Sequence, residues 1–366
     1  MAGSGFGTNF RITTWGETHG AGVGVVVDGC PAGLPLERED VQKYLDRRKP
    51  GQSKYTTQRK EGDQVEILSG IFEGRTTGTP ISMVVYNKDQ RSKDYSNIKD
   101  IYRPGHADFT FDMKYGFRDY RGGGRSSGRE TIGRVAAGAV AAKVLKELGI
   151  EIKAYAKAIA GIEVSKDHFD FAEMNNNPFN MPDKEAAKLV QEKADQMIKE
   201  MDSIGGIIEC QITGMPVGIG EPVFDKLDAE LSKAIMSIGS VKGFEIGDGF
   251  KAANLRGSEN NDDFICVDGK VEKETNHSGG VLGGMSDGSA IVFRAAIKPT
   301  PSIAQTQKTV NRDLDNVEIE IHGRHDPMIV PRAVVVVESM AAVTILDGVL
   351  KNLGATMDNI KKIYGE

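Results

Sequence analysis

The stretch SGRETIGRVAAGAVAAKVLKELG, residues 127–149, reads as one element with both ends marked. Ser127 stands three residues before Glu130, the spacing of a capping box, and the apolar run behind them ends at Gly149, a residue suited to stopping a helix. The pattern predicts a helix starting at Ser127. A strand pattern follows over Glu151–Glu163, and the pair recurs downstream, where a helix over Asp183–Asp202 leads into a strand over Gly206–Thr213. This alternation gives an α/β (α+β) class with a faint internal duplication.

Working outward, Phe10–Asp28 is glycine-punctuated and β-rich, and Leu36–Arg48 is an amphipathic helix stopped by Pro50 and Gly51. Strands are expected over Gln64–Ile71 and Ile81–Tyr86, then a long Gly- and Arg-rich loop. Downstream lie a helix over Phe224–Ser237 and alternating glycine turns and strands. The stretch AVVVVESMAAVTILDGVL, residues 333–350, reads as a buried strand followed by a closing helix near Met340–Leu353, with Glu338 and Asp347 making it too polar for a membrane span. No linker divides the chain, so 1–366 is expected to be a single domain.

The hydrophobic fraction of 39% and charged fraction of 27% are those of an ordinary globular protein. A formal charge of −6 argues against binding nucleic acid through its phosphates, so any anion bound here is small and held locally. Cys30, Cys210 and Cys266 show no framework spacing, which fits a reducing cytoplasm, and the first residues carry no expected secretory signal.

The arginine loop runs straight into a helix N-terminus, where unpaired N–H groups and the helix dipole favour an anion beside Arg125, Ser126, Ser127 and Arg129. A merely well-capped helix with solvated arginines fits the same residues. Arg47 and Arg48 belong to a second basic cluster, at a helix end where the C-terminal dipole would also welcome them. His19, His106 and His325 sit in glycine-flanked settings that let a ligand approach closely. His322 and His325 are three apart on an expected strand and so point to opposite faces, so no metal site is expected. Neither a P-loop nor a dinucleotide fingerprint occurs.

Taken together, GETHG at 16–20, DRRKPGQ at 46–52, YRPGHADFTF at 102–111, KYGFRDYRGGGRSSGRET at 114–131, KPTPSI at 298–303, and GRHDP at 323–327 with PRAVVVVESM at 331–340 resemble the chorismate synthase family. The resemblance implies a β-α-β sandwich, antiparallel sheets enclosing helices, assembled as a homotetramer. It implies the 1,4-elimination of phosphate and a C6 hydrogen from 5-enolpyruvylshikimate 3-phosphate to give chorismate, requiring reduced FMN without net redox change.

By the same resemblance, His19 matches the acid for the departing phosphate, His106 the histidine beside the reduced flavin, and Asp326 the carboxylate working in C6 proton removal. Arg125, Ser126, Ser127, Gly239, Ser240, Gly283, Lys298, Pro299, Thr300, Pro301, Ser302 and Arg324 fall on FMN-binding positions; Arg47, Arg48, Lys54, Arg103 and Arg129 would clamp the substrate. The family often has serine where Thr18 stands, Asn-Ala where Gly239-Ser240 stand, and arginine where Lys54 stands. External reduction of FMN is expected, with NADPH as reductant. The competing readings are a non-catalytic flavin- or phosphate-binding protein, which would have little use for all three proton-transfer residues, and an RNA-binding module, disfavoured by the acidic charge.

Overall fold

The computed structural model describes residues 3–57, 61–88, 98–121, 123–321 and 326–365. In chain order the described strands and helices are β1 (Gly5–Phe6), β2 (Arg11–Gly16), β3 (Gly22–Asp28), α1 (Arg38–Arg48), β4 (Val65–Ile67), β5 (Ile71–Phe72), β6 (Arg75–Thr76), β7 (Ile81–Tyr86), α2 (Asp108–Tyr115), α3 (Thr131–Glu147), β8 (Glu151–Ile159), β9 (Ile162–Glu163), α4 (Lys184–Lys199) and β10 (Gly206–Thr213). Then come α5 (Leu227–Met236), β11 (Val241–Ile246), α6 (Gly257–Asn260), β12 (Phe264–Val267), β13 (Lys270–Lys273), β14 (Val281–Leu282), β15 (Met285–Ser286), β16 (Ile291–Ile297), β17 (Gln307–Val310), β18 (Asn316–Ile319), α7 (Val330–Lys351) and α8 (Met357–Tyr364).

Two five-stranded antiparallel sheets form the outer layers, in the orders β1-β2-β3-β7-β4 and β11-β16-β10-β8-β9. Alternation sets their faces: in β10, Ile208, Cys210 and Ile212 turn inward, while Glu209 on the other face meets the Tyr155 hydroxyl and Arg294. Between the sheets α3 packs on β2, β3 and β7, α7 packs on β8 and β10, and the two helices pack on each other. The result is the expected sandwich of antiparallel sheets enclosing helices. Helix α1, with Glu39 and Asp40 in its first turn and Arg47 and Arg48 in its last, lays Val41 and Leu45 into the same core.

The close approach of α3 to α7 depends on Gly138, where a Cβ would lie 2.2 Å from the Ser339 Cβ and 2.5 Å from its Cα. Two acidic side chains on α7 are buried with partners. Glu338 receives both terminal nitrogens of Arg47 at 2.7 and 2.9 Å, and Asp347 accepts the backbone N–H groups of Thr8, Asn9 and Phe10.

The structure corrects several sequence expectations. Residues 333–337 are not a strand, because α7 is one helix of 22 residues with Pro331 in its first turn. Buried on every face from Ala333 to Asp347 and mostly apolar, such a run does not show period 2 or 3.6. By length and composition it would also qualify to cross a membrane, yet 83% of its apolar stretch is buried inside the fold. The helix begun at Ser127 starts as a single 3₁₀ turn, Gly128–Glu130, whose cap is indeed Ser127, its hydroxyl accepting the Arg129 N–H at 3.3 Å. Glu130 does not reach back to complete the box; it accepts from Thr14 Oγ1 and Arg134 Nε. The stretch 64–71 divides into β4 and the start of a separate hairpin, and the arginine loop contains α2.

Candidate active site

Three buried side chains from separate elements meet at the N-terminal end of α3. Asp63 accepts Arg48 Nη2 at 2.6 Å and Arg129 Nη1 at 2.9 Å. Arg48 also donates to the Gly128 carbonyl at 3.1 Å and to Thr131 Oγ1 at 3.3 Å, which fixes the end of α1 against the start of α3. One carboxylate thus serves two guanidiniums, leaving net positive charge in a closed space. Arg48 Nε and Arg129 Nη2 are buried with no hydrogen-bond partner among the described residues. Burial pushes the Arg48 guanidinium down to about 10, with Asp63 opposing and the charges of Arg332 and Arg129 reinforcing the fall. Burial works against ionisation of Asp63, but the charges and hydrogen bonds of Arg48 and Arg129 outweigh it and hold the carboxyl below the usual range.

Asp326 adjoins this cluster. Its carboxylate accepts Arg332 Nη1 at 2.7 Å and the Thr57 backbone N–H at 2.9 Å, while Arg332 Nε donates to the Arg48 carbonyl at 3.0 Å.

A second assembly brings the PGHAD and KPTPS segments together. His106 Nδ1 lies 3.0 Å from the Pro104 carbonyl and Nε2 lies 2.8 Å from Ser302 Oγ. A carbonyl only accepts, so Nδ1 carries a proton; Ser302 Oγ donates to Nε2 of the neutral ring and accepts from it when the ring is charged. The Lys298 ammonium donates to the Gly105 carbonyl at 2.9 Å, and the Lys298 N–H donates to the Ser240 carbonyl at 2.9 Å, tying Gly239-Ser240 to the run Lys298, Pro299, Thr300, Pro301, Ser302. Thr300 Oγ1 is buried without a partner among the described residues, and a Cβ on Gly239 would meet nothing within 4 Å.

A third group joins the arginine loop to β2. Arg125 donates to the Gly16 and Thr14 carbonyls, both at 3.0 Å, and Ser126 Oγ donates to the Gly123 carbonyl at 2.7 Å. The turn after β2 carries Thr18, whose buried hydroxyl has no partner among the described residues, and the half-buried His19. Hydrogen bonds from Arg121 hold the Asp119 carboxyl low, and the charge of His19 adds to the effect.

Other expected residues lie apart or hold protein partners. Arg47 grips Glu338, Arg103 grips Asp108 through two bonds of 2.8 Å, and Lys54 pairs with Asp195 at 2.8 Å. Gly283 sits in the β14–β15 turn. Arg324, and the His322–His325 spacing weighed for a metal, lie outside the described residues. Reasoning from sequence missed Asp63, Arg332 and Asn87, whose side-chain oxygen accepts Arg129 Nε at 3.1 Å. Of these only Arg332 lies in a family-like motif, PRAVVVVESM, and nothing in that apolar run sets it apart.

The family model described as chorismate synthase matches residues 10–350. The chain belongs to the chorismate synthase family. Its sequence is 68% identical over 364 residues to a chorismate synthase of Lachnospira eligens, covering 100% of both chains. It is 56% identical over 355 residues to one of Methanococcoides burtonii, covering 96% of this chain and 97% of that one. A crystal structure of chorismate synthase superposes with a TM-score of 0.77 at 31% identity, covering 98% of this chain and 96% of that one. Membership of the chorismate synthase family makes this chain a phosphate-eliminating lyase of aromatic amino-acid biosynthesis.

Proposed function

We propose that this chain forms chorismate from 5-enolpyruvylshikimate 3-phosphate, and that the Arg48–Asp63–Arg129 cluster receives the anionic substrate. The observation that carries the reading is a pair of buried guanidiniums sharing one carboxylate, each with an N–H group facing no protein acceptor among the described residues. Such groups are costly to leave unmade and suit a phosphate or carboxylate oxygen. Arg47, Lys54 and Arg103 already hold carboxylates of the protein, so each binds substrate only by exchanging that partner.

The residues present also fit a flavin mononucleotide. The unpartnered Thr300 hydroxyl, the open space at Gly239 and the Arg125–Ser127 loop offer donors and room for a phosphate and a polar ring edge. Arg125, Ser126, Ser127, Gly239, Ser240, Gly283, Lys298–Ser302 and Arg324 would hold it. Reduced FMN, when bound, supplies reducing power that is returned within the turnover.

In this reading His19 donates a proton to the departing phosphate oxygen, whose charge Arg48 and Arg129 also stabilise. Asp326, oriented by Arg332 and the Thr57 N–H, takes the C6 proton. His106 stands beside the flavin, and Ser302 keeps a hydrogen bond to it in either protonation state, because a hydroxyl both donates and accepts. The working protein is a cytoplasmic homotetramer without nucleic-acid or membrane partners, and NADPH is the external reductant of its FMN.

The test is anaerobic mixing of protein, chemically reduced FMN and 5-enolpyruvylshikimate 3-phosphate, following phosphate release and chorismate absorbance together. Equal amounts of both, only with reduced flavin, are expected. Flavin binding without either product would leave a binding protein that does no chemistry.

A further inference from the structure

Asn87, the residue after β7, joins the turn that carries His19 to the buried guanidinium of Arg129. Its side-chain nitrogen donates to the carbonyls of Glu17 and Gly20, both at 2.9 Å, and its backbone N–H donates to the Ala21 carbonyl at 3.0 Å. Its Oδ1 accepts Arg129 Nε at 3.1 Å. These partners fix which way the amide faces, since a flipped group would set oxygen against two carbonyls and N–H against a guanidinium. Thr18 and His19 lie between the two carbonyls that the amide grips, in a turn also closed by Gly20 N–H to the Glu17 carbonyl at 3.2 Å. Arg129 in turn is fixed from its other side by Asp63. A chain of hydrogen bonds therefore runs from the acid's turn through one amide to the anion-binding cluster.

We infer that Asn87 is a positioning residue which holds His19 in register with Arg129, so that acid and guanidinium address the same leaving phosphate. The inference rests on the roles given above to His19 and Arg129. An amide suits the task because a single short side chain must offer two donors to carbonyls and one acceptor to a cation. Aspartate keeps the acceptor and turns both donor contacts into oxygen facing oxygen; alanine removes all three.

The two substitutions therefore separate. Asn87→Asp is expected to lower kcat by about 10- to 100-fold, the scale of a misplaced catalytic group, with KM within about threefold of wild type because Arg129 keeps its partner. Asn87→Ala is expected to lower kcat similarly and also to raise KM. In a His19→Ala background, Asn87→Asp is expected to cost no more than about twofold, since groups that act as a unit are not additive. The ring-proton NMR signal of His19, assigned by its loss in His19→Ala, is expected to move in both Asn87 variants. Wild-type kcat in Asn87→Asp, a full multiplicative loss in the double variant, or an unmoved His19 signal would each overturn the inference. Wild-type turnover in His19→Ala would instead remove the acid role itself, and the His19 signal alone would then decide whether Asn87 positions the turn.

Discussion

Replacing Asp63 by asparagine or alanine leaves Arg48 and Arg129 facing each other without their shared counter-charge. Both pairs are close, 2.6 and 2.9 Å, and the Asp63 side chain is wholly buried, so bulk water does not screen the two charges. Removing one partner of a buried pair costs about 3–5 kcal/mol, a large part of the ~5–15 kcal/mol that holds a domain folded. With an unfolding entropy of about 2.1 cal/mol/K per residue, a chain of 366 residues loses roughly 4–6.5 °C of Tm for that cost. The loss should depend on pH with a definite sign. Since the folded carboxyl is held below its usual value, the unfolded chain takes up the proton first on acidification, so the stability it confers is present above about pH 4 and lost as pH falls through the folded value. The gap between wild type and Asp63→Asn should therefore be full at pH 7 and begin to narrow only as pH falls below about 4. Melting followed by circular dichroism across that range checks it, and added phosphate should raise the Tm of Asp63→Ala more than that of wild type. A Tm within 1 °C of wild type at pH 7, or equal phosphate effects in both proteins, would refute the reasoning.

Ser302→Ala removes the 2.8 Å contact to His106 Nε2 and should lower turnover by roughly 5- to 10-fold, with Ser302→Thr restoring most of it in the same steady-state assay. Gly138→Ala drives a methyl group into the Ser339 backbone and should cost about 3 kcal/mol or more, read as a Tm fall of at least roughly 4 °C. With an aromatic disulfide reagent near neutral pH, exposed Cys266 should titrate as one fast thiol in the native protein. Cys30, pushed up to about 11 by burial, and fully buried Cys210 should react only after denaturation.

What the sequence made legible was local. Strands Ile81–Tyr86 and Gly206–Thr213 coincide with β7 and β10, and Asp183, placed first in its expected helix, is the cap of α4, accepting the Glu185 and Ala186 N–H groups. These are decided by alternation and by one side chain bonding to backbone two or three residues away. The AVVVV run misled because a helix enclosed on every side shows no period, and β-branched residues favour a strand only until packing decides otherwise. The site divides the same way. Arg125, Ser127 and Arg129 stand out by their place before a helix, and of these the structure shows Ser127 as the cap. Asp63 carries no such mark: EGDQVEI at 61–67 is an ordinary polar entry to a strand, and only the fold brings it between two arginines 15 residues before it and 66 after it in the chain.

The crossing of α3 and α7 at Gly138 and Ser339 should divide the site by how quickly its backbone exchanges hydrogen with solvent. Arg129 and Arg332 stand at the starts of the two helices whose middles are the most enclosed backbone of the fold, so amides there should exchange only when the whole molecule opens. His106 and Ser302 belong to a different frame: their segments lean on the two-stranded β17–β18 hairpin through Tyr102 N–H to the Val310 carbonyl at 3.1 Å. A two-stranded hairpin with only a small apolar cluster of Ile98, Ile319 and Ile321 behind it should open more readily than the enclosed helices. On the proposed assignments the slow half would carry the substrate's cations and the fast half the residues nearest the flavin, so a bound flavin should register first as slowed exchange around residues 102–107 and 307–319, with α3 and α7 scarcely changed.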